Sequence, residues 1–148
     1  MEADKGLPVT VIMKTTVKDG PQKNINNIKA EGQLFQKGPA VFLRFEEPAE
    51  DGKKTIQTLK VKPNEMTVIR KGAITMNQRF IAGIETEGMY QSPYGPMSMT
   101  TKTKQVDYKW DEANKTGKLR LRYTLHLQGS KAGDYDMQVT IKEAEESS

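Results

Sequence analysis

The chain has 148 residues, no cysteine, 35% hydrophobic residues and a mean hydropathy of −0.71. That length suits one domain with its own core, and the missing thiols exclude a disulfide scaffold, a thiolate metal site and a cysteine nucleophile. Net charge is +4, but three of the 19 acids follow Lys142 and no base does, so residues 1–142 carry 23 − 16 = +7.

Period two governs nearly every stretch of the chain. After a short, charged and flexible N-terminus at 1–6, residues 7–17 alternate Val9, Val11 and Met13, continue through Thr15 and Val17, and stop at Asp19-Gly20-Pro21. Residues 26–37 form a weaker strand with Ile28, Ala30, Gly32, Leu34 and Gln36 on one face. Gly32 in mid-strand predicts a bend or bulge. Beyond Lys37-Gly38-Pro39, residues 40–47 set Val41, Leu43 and Phe45 against Phe42, Arg44 and Glu46. A polar loop over 48–53 leads to residues 55–61, with Thr55, Gln57, Leu59 and Val61 on one side. Met66, Val68 and Arg70 then alternate with Thr67, Ile69 and Lys71 until Gly72 breaks the run.

Residues 73–81 place Ile74, Met76, Gln78 and Phe80 on one face and Thr75, Asn77 and Arg79 on the other. Gly83 turns the chain, and Thr86, Gly88 and Tyr90 alternate towards the turn Ser92-Pro93-Tyr94-Gly95-Pro96. Met97, Met99, Thr101 and Thr103 oppose Ser98, Thr100, Lys102 and Lys104, and residues 106–110 read as a separate short strand. After a hairpin loop comes the cleanest alternation: Leu119, Leu121, Tyr123, Leu125 and Leu127 against Lys118, Arg120, Arg122, Thr124 and His126. A last strand carries Tyr135, Met137, Val139 and Ile141, followed by an acidic tail at 143–148.

The pattern amounts to eight to ten antiparallel strands joined by short turns, with no sustained helical stripe. An open sheet of that size leaves long exposed edges, so a single closed, meander-like barrel over 1–148 is predicted. The polar composition fits such a thin-walled structure, and about eight strands enclose either filling side chains or one small ligand. With no apolar leader pattern and no membrane-length apolar run, the reading is cytoplasmic.

Catalysis is poorly supplied. His126, the one histidine, sits at a polar-parity position with no acid placed locally to orient it, and no His/Asp/Glu cluster has metal-ligand spacing. Glu46-Glu47, Glu50-Asp51 and Glu145-Glu146 read as solvated charge. No enzyme activity and no cofactor are expected. The inward face of the central strands offers another chemistry: two amides, Gln57 and Gln78, with Met76, Phe80, Tyr90, Met97, Met99, Thr101 and Thr103, and Arg79 or Arg70 near a barrel mouth. Apolar area with sparse donors is what a small-molecule pocket needs. The competing reading is a filled core whose polar groups bond one another or buried water.

The run Arg70-Lys71-Gly72-Ala73-Ile74-Thr75-Met76-Asn77-Gln78-Arg79-Phe80, with Gly83, Tyr90, Pro93-Tyr94-Gly95 and Thr101-Lys102-Thr103, resembles the YwiB-like family. These are small proteins of Gram-positive bacteria, classed as a domain of unknown function. The resemblance covers nearly the whole chain and implies a calycin-like, lipocalin-resembling β-barrel; it implies no catalytic residue.

Two functions follow as expectations. The first is binding of a small, partly apolar and in one version anionic molecule, lined by Met76, Gln78, Phe80, Tyr90, Met97, Met99, Thr101 and Thr103 with Arg79 at the rim. The second is a protein- or RNA-interaction module that uses Tyr108, Trp110, Arg120 and Arg122 on an outer face over a filled barrel. A small molecule is the expected partner and a membrane is not; homodimerisation through a barrel face stays open.

Overall fold

The computed structural model describes residues 6–48, 53–72, 75–92 and 94–144, Ser92 by its backbone alone. Ile74, Glu50-Asp51, Pro93 and Glu145-Glu146 lie outside the described residues, as does most of the charged N-terminus and of the acidic tail.

Ten strands form the chain: β1 (Leu7–Asp19), β2 (Gln22–Lys37), β3 (Ala40–Glu46), β4 (Thr55–Lys62), β5 (Glu65–Gly72), β6 (Thr75–Ile81), β7 (Glu85–Ser92), β8 (Gly95–Asp111), β9 (Thr116–Leu127) and β10 (Ser130–Glu143). Each pairs antiparallel with its sequence neighbour, and β1 pairs with β10 from Val9↔Glu143 to Lys18↔Asp134, which closes the barrel. Closure satisfies the backbone groups that an open meander would leave along its first and last strands. None of the described residues forms a helix long and apolar enough to cross a membrane.

The period-two pattern is what the barrel reads out, because every second side chain must leave water. Val9, Val11, Leu43, Phe45, Leu59, Val61, Met66, Val68, Val106, Leu119, Leu121, Val139 and Ile141 are all buried in one continuous core. They crowd towards one end, here termed the lower end, where β2–β3, β4–β5, β6–β7 and β8–β9 turn. Each such side chain fully withdrawn from water contributes about 1.5–3 kcal/mol.

Three departures from the expected pattern shape the upper end. β1 and β2 run on to Asp19 and Gln22, so their hairpin is longer than the predicted 7–17 and 26–37. β3 pairs with β2 only from Gly32↔Phe45 downward, leaving upper β2 paired to β1 alone among the described residues. Gly32, predicted to mark a bend or bulge, shows no register shift; a Cβ there would lie 2.5 Å from the Arg44 carbonyl oxygen, so glycine admits the close approach of β3.

The third departure is in β8. The predicted break between 97–104 and 106–110 is a bulge within one 17-residue strand: Thr103 pairs with Tyr123, Gln105 with Arg122 and Val106 with Leu121. One extra residue reverses the parity, so Thr103 and Val106 both face inward. The same reversal packs Tyr108 and Trp110 against the core, away from the outward Arg120 and Arg122. The aromatic and basic groups expected to share one outer face are therefore on opposite sides of the wall.

Candidate functional site

The upper half of the barrel is hollow. A cavity of about 410 Å³ is lined by inner-face residues drawn from almost every strand, from Met13 on β1 to Tyr135 and Met137 on β10. Phe80 and Tyr123 close it on the side of the packed core, meeting with ring centroids 4.6 Å apart at 55°, and Tyr123 stacks on Tyr135 at 4.9 Å and 8°. Burial holds the Tyr123 phenol far above the ordinary tyrosine range, so it stays neutral. Larger hollows exist, and one of about 1090 Å³ lies along the outer faces of β8, β9 and β10 among Gln105, Asp107, Lys109, Lys118 and Arg120. A further hollow of about 460 Å³ opens at the lower mouth among Leu7, Leu34, Val41, Tyr108 and Trp110, but the upper cavity is the one lined from nearly every strand of the barrel.

Five of the eight methionines, Met13, Met76, Met97, Met99 and Met137, line this space with Val68, Leu125 and Leu127. Unbranched thioethers adapt to irregular shapes and leave no polar atom in need of a strong partner. The polar lining comes from Asn26, Glu47, Gln57, Arg70, Gln78 and the tyrosines.

Four of these polar residues are already committed, in two clusters. Gln78 Nε2 donates to Thr101 Oγ1 at 3.0 Å, with the two residues 5% and 1% exposed. Arg70 donates through Nε and Nη2 to the two oxygens of Glu47, each at 2.7 Å, and Gln57 Nε2 donates to Glu47 Oε2 at 2.8 Å. Glu47 is held in place because its backbone N–H donates to the Thr55 carbonyl at 2.9 Å, prolonging the β3–β4 pairing. Its side chain follows Val41, Leu43 and Phe45 to the inner face, while the adjacent Glu46 is exposed.

Of the residues predicted to line a pocket, Met76, Gln78, Phe80, Tyr90, Met97 and Met99 come together around the cavity. Thr101 and Thr103 face inward but are buried behind it; Thr101 is the acceptor for Gln78, and Thr103 Oγ1 has no partner. Arg79 is placed elsewhere. It lies on the outer face, 56% exposed, with its Nε 3.0 Å from Glu65 Oε2, so the predicted rim arginine gives way to Arg70. β6 alternates, and the position after the inward Gln78 must point out.

Sequence reasoning missed Glu47, Met13, Asn26 and Met137. Glu47 had a usable signal in its parity with Phe45. The convergence of the others depends on barrel closure, which no local pattern carries. His126 faces outward, opposite Thr100 of β8 and Lys131 of β10, with its Nδ1 buried and unpartnered. Among the described residues no group of three or more His, Asp or Glu is placed to hold a metal ion.

A family model described as a domain of unknown function (DUF1934) matches residues 11–139. The chain is 30% identical over 136 residues to the uncharacterized beta-barrel protein YwiB of Bacillus subtilis (strain 168), covering 91% of this chain and 93% of that protein. The crystal structure of the ywiB protein from Bacillus subtilis matches with a TM-score of 0.83 at 27% identity, over 94% of this chain and 93% of the other.

Proposed function

We propose that this chain, which belongs to the DUF1934 family, binds a small, largely apolar molecule in the upper half of its barrel and is a binding protein rather than an enzyme. The observation that carries the reading is the methionine-ringed hollow that the upper end of the lumen keeps beside a close-packed core. The middle of the lumen is filled by close-packed branched and aromatic side chains and its lower mouth opens among Leu7, Leu34, Val41, Tyr108 and Trp110 without a methionine, whereas the upper end keeps about 410 Å³ inside a ring of five methionines. A chain able to fill the middle of its lumen with valine and leucine has the means to fill the upper end too, and empty apolar volume is costly to maintain. The size falls within the range of small-molecule pockets. We place its action in the cytoplasm, in keeping with the absence of cysteine.

The test uses Nile red, an uncharged dye whose emission rises in apolar surroundings, together with native mass spectrometry of protein purified from its own host. Binding is expected in the unaltered protein and lost in Met97→Trp, where an indole occupies the space, while the β-sheet signal in circular dichroism is retained. Equal dye binding by folded Met97→Trp, with no co-purifying mass, would count decisively against the cavity.

A further inference from the structure

Among the described residues that line the upper cavity, Glu47 and Arg70 alone carry charge, and they neutralise each other. The guanidinium fork grips both carboxylate oxygens, and Gln57 adds a third bond to the same carboxylate. Both side chains are largely withdrawn from water, Arg70 23% and Glu47 13% exposed. An anion that enters finds no free cation. To take Arg70 it must strand the Glu47 carboxylate in an apolar wall, and leaving one member of such a pair unpaired is strongly unfavourable. A cation meets the mirror obstacle, since taking Glu47 strands Arg70.

We infer that the ligand is an uncharged amphiphile: an apolar chain or ring lying against Met76, Met97, Met99 and Phe80, with a neutral head group at the Glu47–Arg70 pair. This rests on the reading of the upper cavity as a ligand site. The guanidinium has five N–H donors and commits two to Glu47, so others remain for a carbonyl or hydroxyl oxygen. The carboxylate oxygens keep spare lone pairs for an N–H or O–H. A salt bridge left intact thus presents a donor and an acceptor side by side, which suits an amide or an alcohol; a carboxylate can accept the same spare N–H but then lies beside the like-charged Glu47, with no net countercharge to offset its desolvation.

Decanamide, decanol and decanoate share one chain and differ in the head group. Each is titrated into the full-length protein near neutral pH, by calorimetry and by displacement of Nile red. The amide and the alcohol are expected to bind at least about tenfold more tightly than decanoate. Glu47→Gln frees Arg70 and is expected to narrow or reverse that preference. Decanoate binding to the unaltered protein as tight as that of the amide overturns the inference and leaves the cavity standing as a ligand site. An unchanged preference in a folded Glu47→Gln protein overturns the role given to the pair. If Nile red and all three compounds fail to bind, the cavity reading falls and the head-group inference falls with it. The comparison in unaltered protein requires no variant, so a misfolded Glu47→Gln chain does not shelter the inference.

Discussion

Gln78 of β6 and Thr101 of β8 are hydrogen-bonded across 3.0 Å although β7 runs between them. The β6–β7 ladder stops at Asn77↔Met89, and the two strands part below that point. Gly88 faces the gap, and a Cβ there would lie 2.8 Å from the Asn77 carbonyl oxygen and 3.3 Å from Met99 Cε. Without a side chain at that position the amide reaches the hydroxyl over the strand. The bond closes on the inner face a seam that the backbone leaves open, and it consumes polar groups that a ligand would otherwise meet.

Thr101→Val keeps the shape of the site and leaves the Gln78 amide without its acceptor. The expected cost is about 1–3 kcal/mol, the penalty of an unsatisfied buried polar group. Gln78→Leu combined with Thr101→Val is expected to cost less than the sum of the single changes, because the double variant strands nothing. Denaturant unfolding of the four proteins in the cycle measures the difference. Strict additivity would mean that the bond contributes nothing.

The bulge in β8 makes a second prediction that separates register from residue identity. Thr103, Gln105 and Val106 are paired with Tyr123, Arg122 and Leu121, three consecutive positions of β9, so Lys104 is the surplus residue. Deleting Lys104 is expected to preserve the inward facing of Val106, Tyr108 and Trp110, with a folded protein of altered curvature. Deleting Asp107 instead turns Tyr108 outward and shifts every following position of β8 against β9, and no cooperatively folded protein is expected. Thermal melts followed by circular dichroism distinguish the two; equal loss of cooperativity would remove the assigned role of the bulge.

How far the sequence reaches is visible in these same strands. Alternation alone put Met76, Gln78, Phe80, Met99 and Thr101 on the inner face, because a half-buried strand must alternate and a slip of one residue exposes the entire apolar set. The same rule, applied one strand earlier, sets Arg70 beside Met66 and Val68, and applied to β3 it carries Glu47 inward past Phe45. Glu47 was nonetheless expected in water, since an acid beside another acid before a proline has the composition of a loop. What no local pattern contains is that Glu47, Gln57 and Arg70 converge, or that Met13 and Met137 face the methionines of β6 and β8. Those contacts are set by the closure of β1 on β10 and by where each ladder stops.

The outer wall gives a pH-dependent prediction. Hydrogen bonding from Arg120, at 2.9 Å from Nη2 to Oδ2, together with the nearby positive charges holds the Asp136 carboxyl below the ordinary aspartate range. The folded state thus resists a proton that the unfolded chain accepts near about 3.9. The stabilisation is complete above the unfolded value and disappears as pH falls through the lower, folded one. Because both side chains are substantially solvated, Asp136→Asn is expected to lower the melting midpoint by only about one or two degrees at neutral pH. The gap between the two proteins is expected to shrink on acidification below the ordinary aspartate value and in added salt. A gap that widens in acid would contradict the sign worked out here.

The packed core and the upper cavity make the last prediction, a separation of stability from binding. Leu59 is fully buried in the lower core and does not line the cavity. Leu59→Ala is expected to cost about 2–5 kcal/mol, through lost burial and the void left behind, with Nile red affinity in the surviving folded protein unchanged. Met97 lines the cavity and is only half-buried, so it has already forgone part of the packing that a core side chain gains. Met97→Ala is expected to cost about 1 kcal/mol or less while changing dye affinity severalfold. Urea titrations measure one axis and fluorescence titrations the other. Were the lumen one continuous packed core, both substitutions would move stability together and neither would move binding; a split between them is what a barrel packed around Leu59 and open above requires.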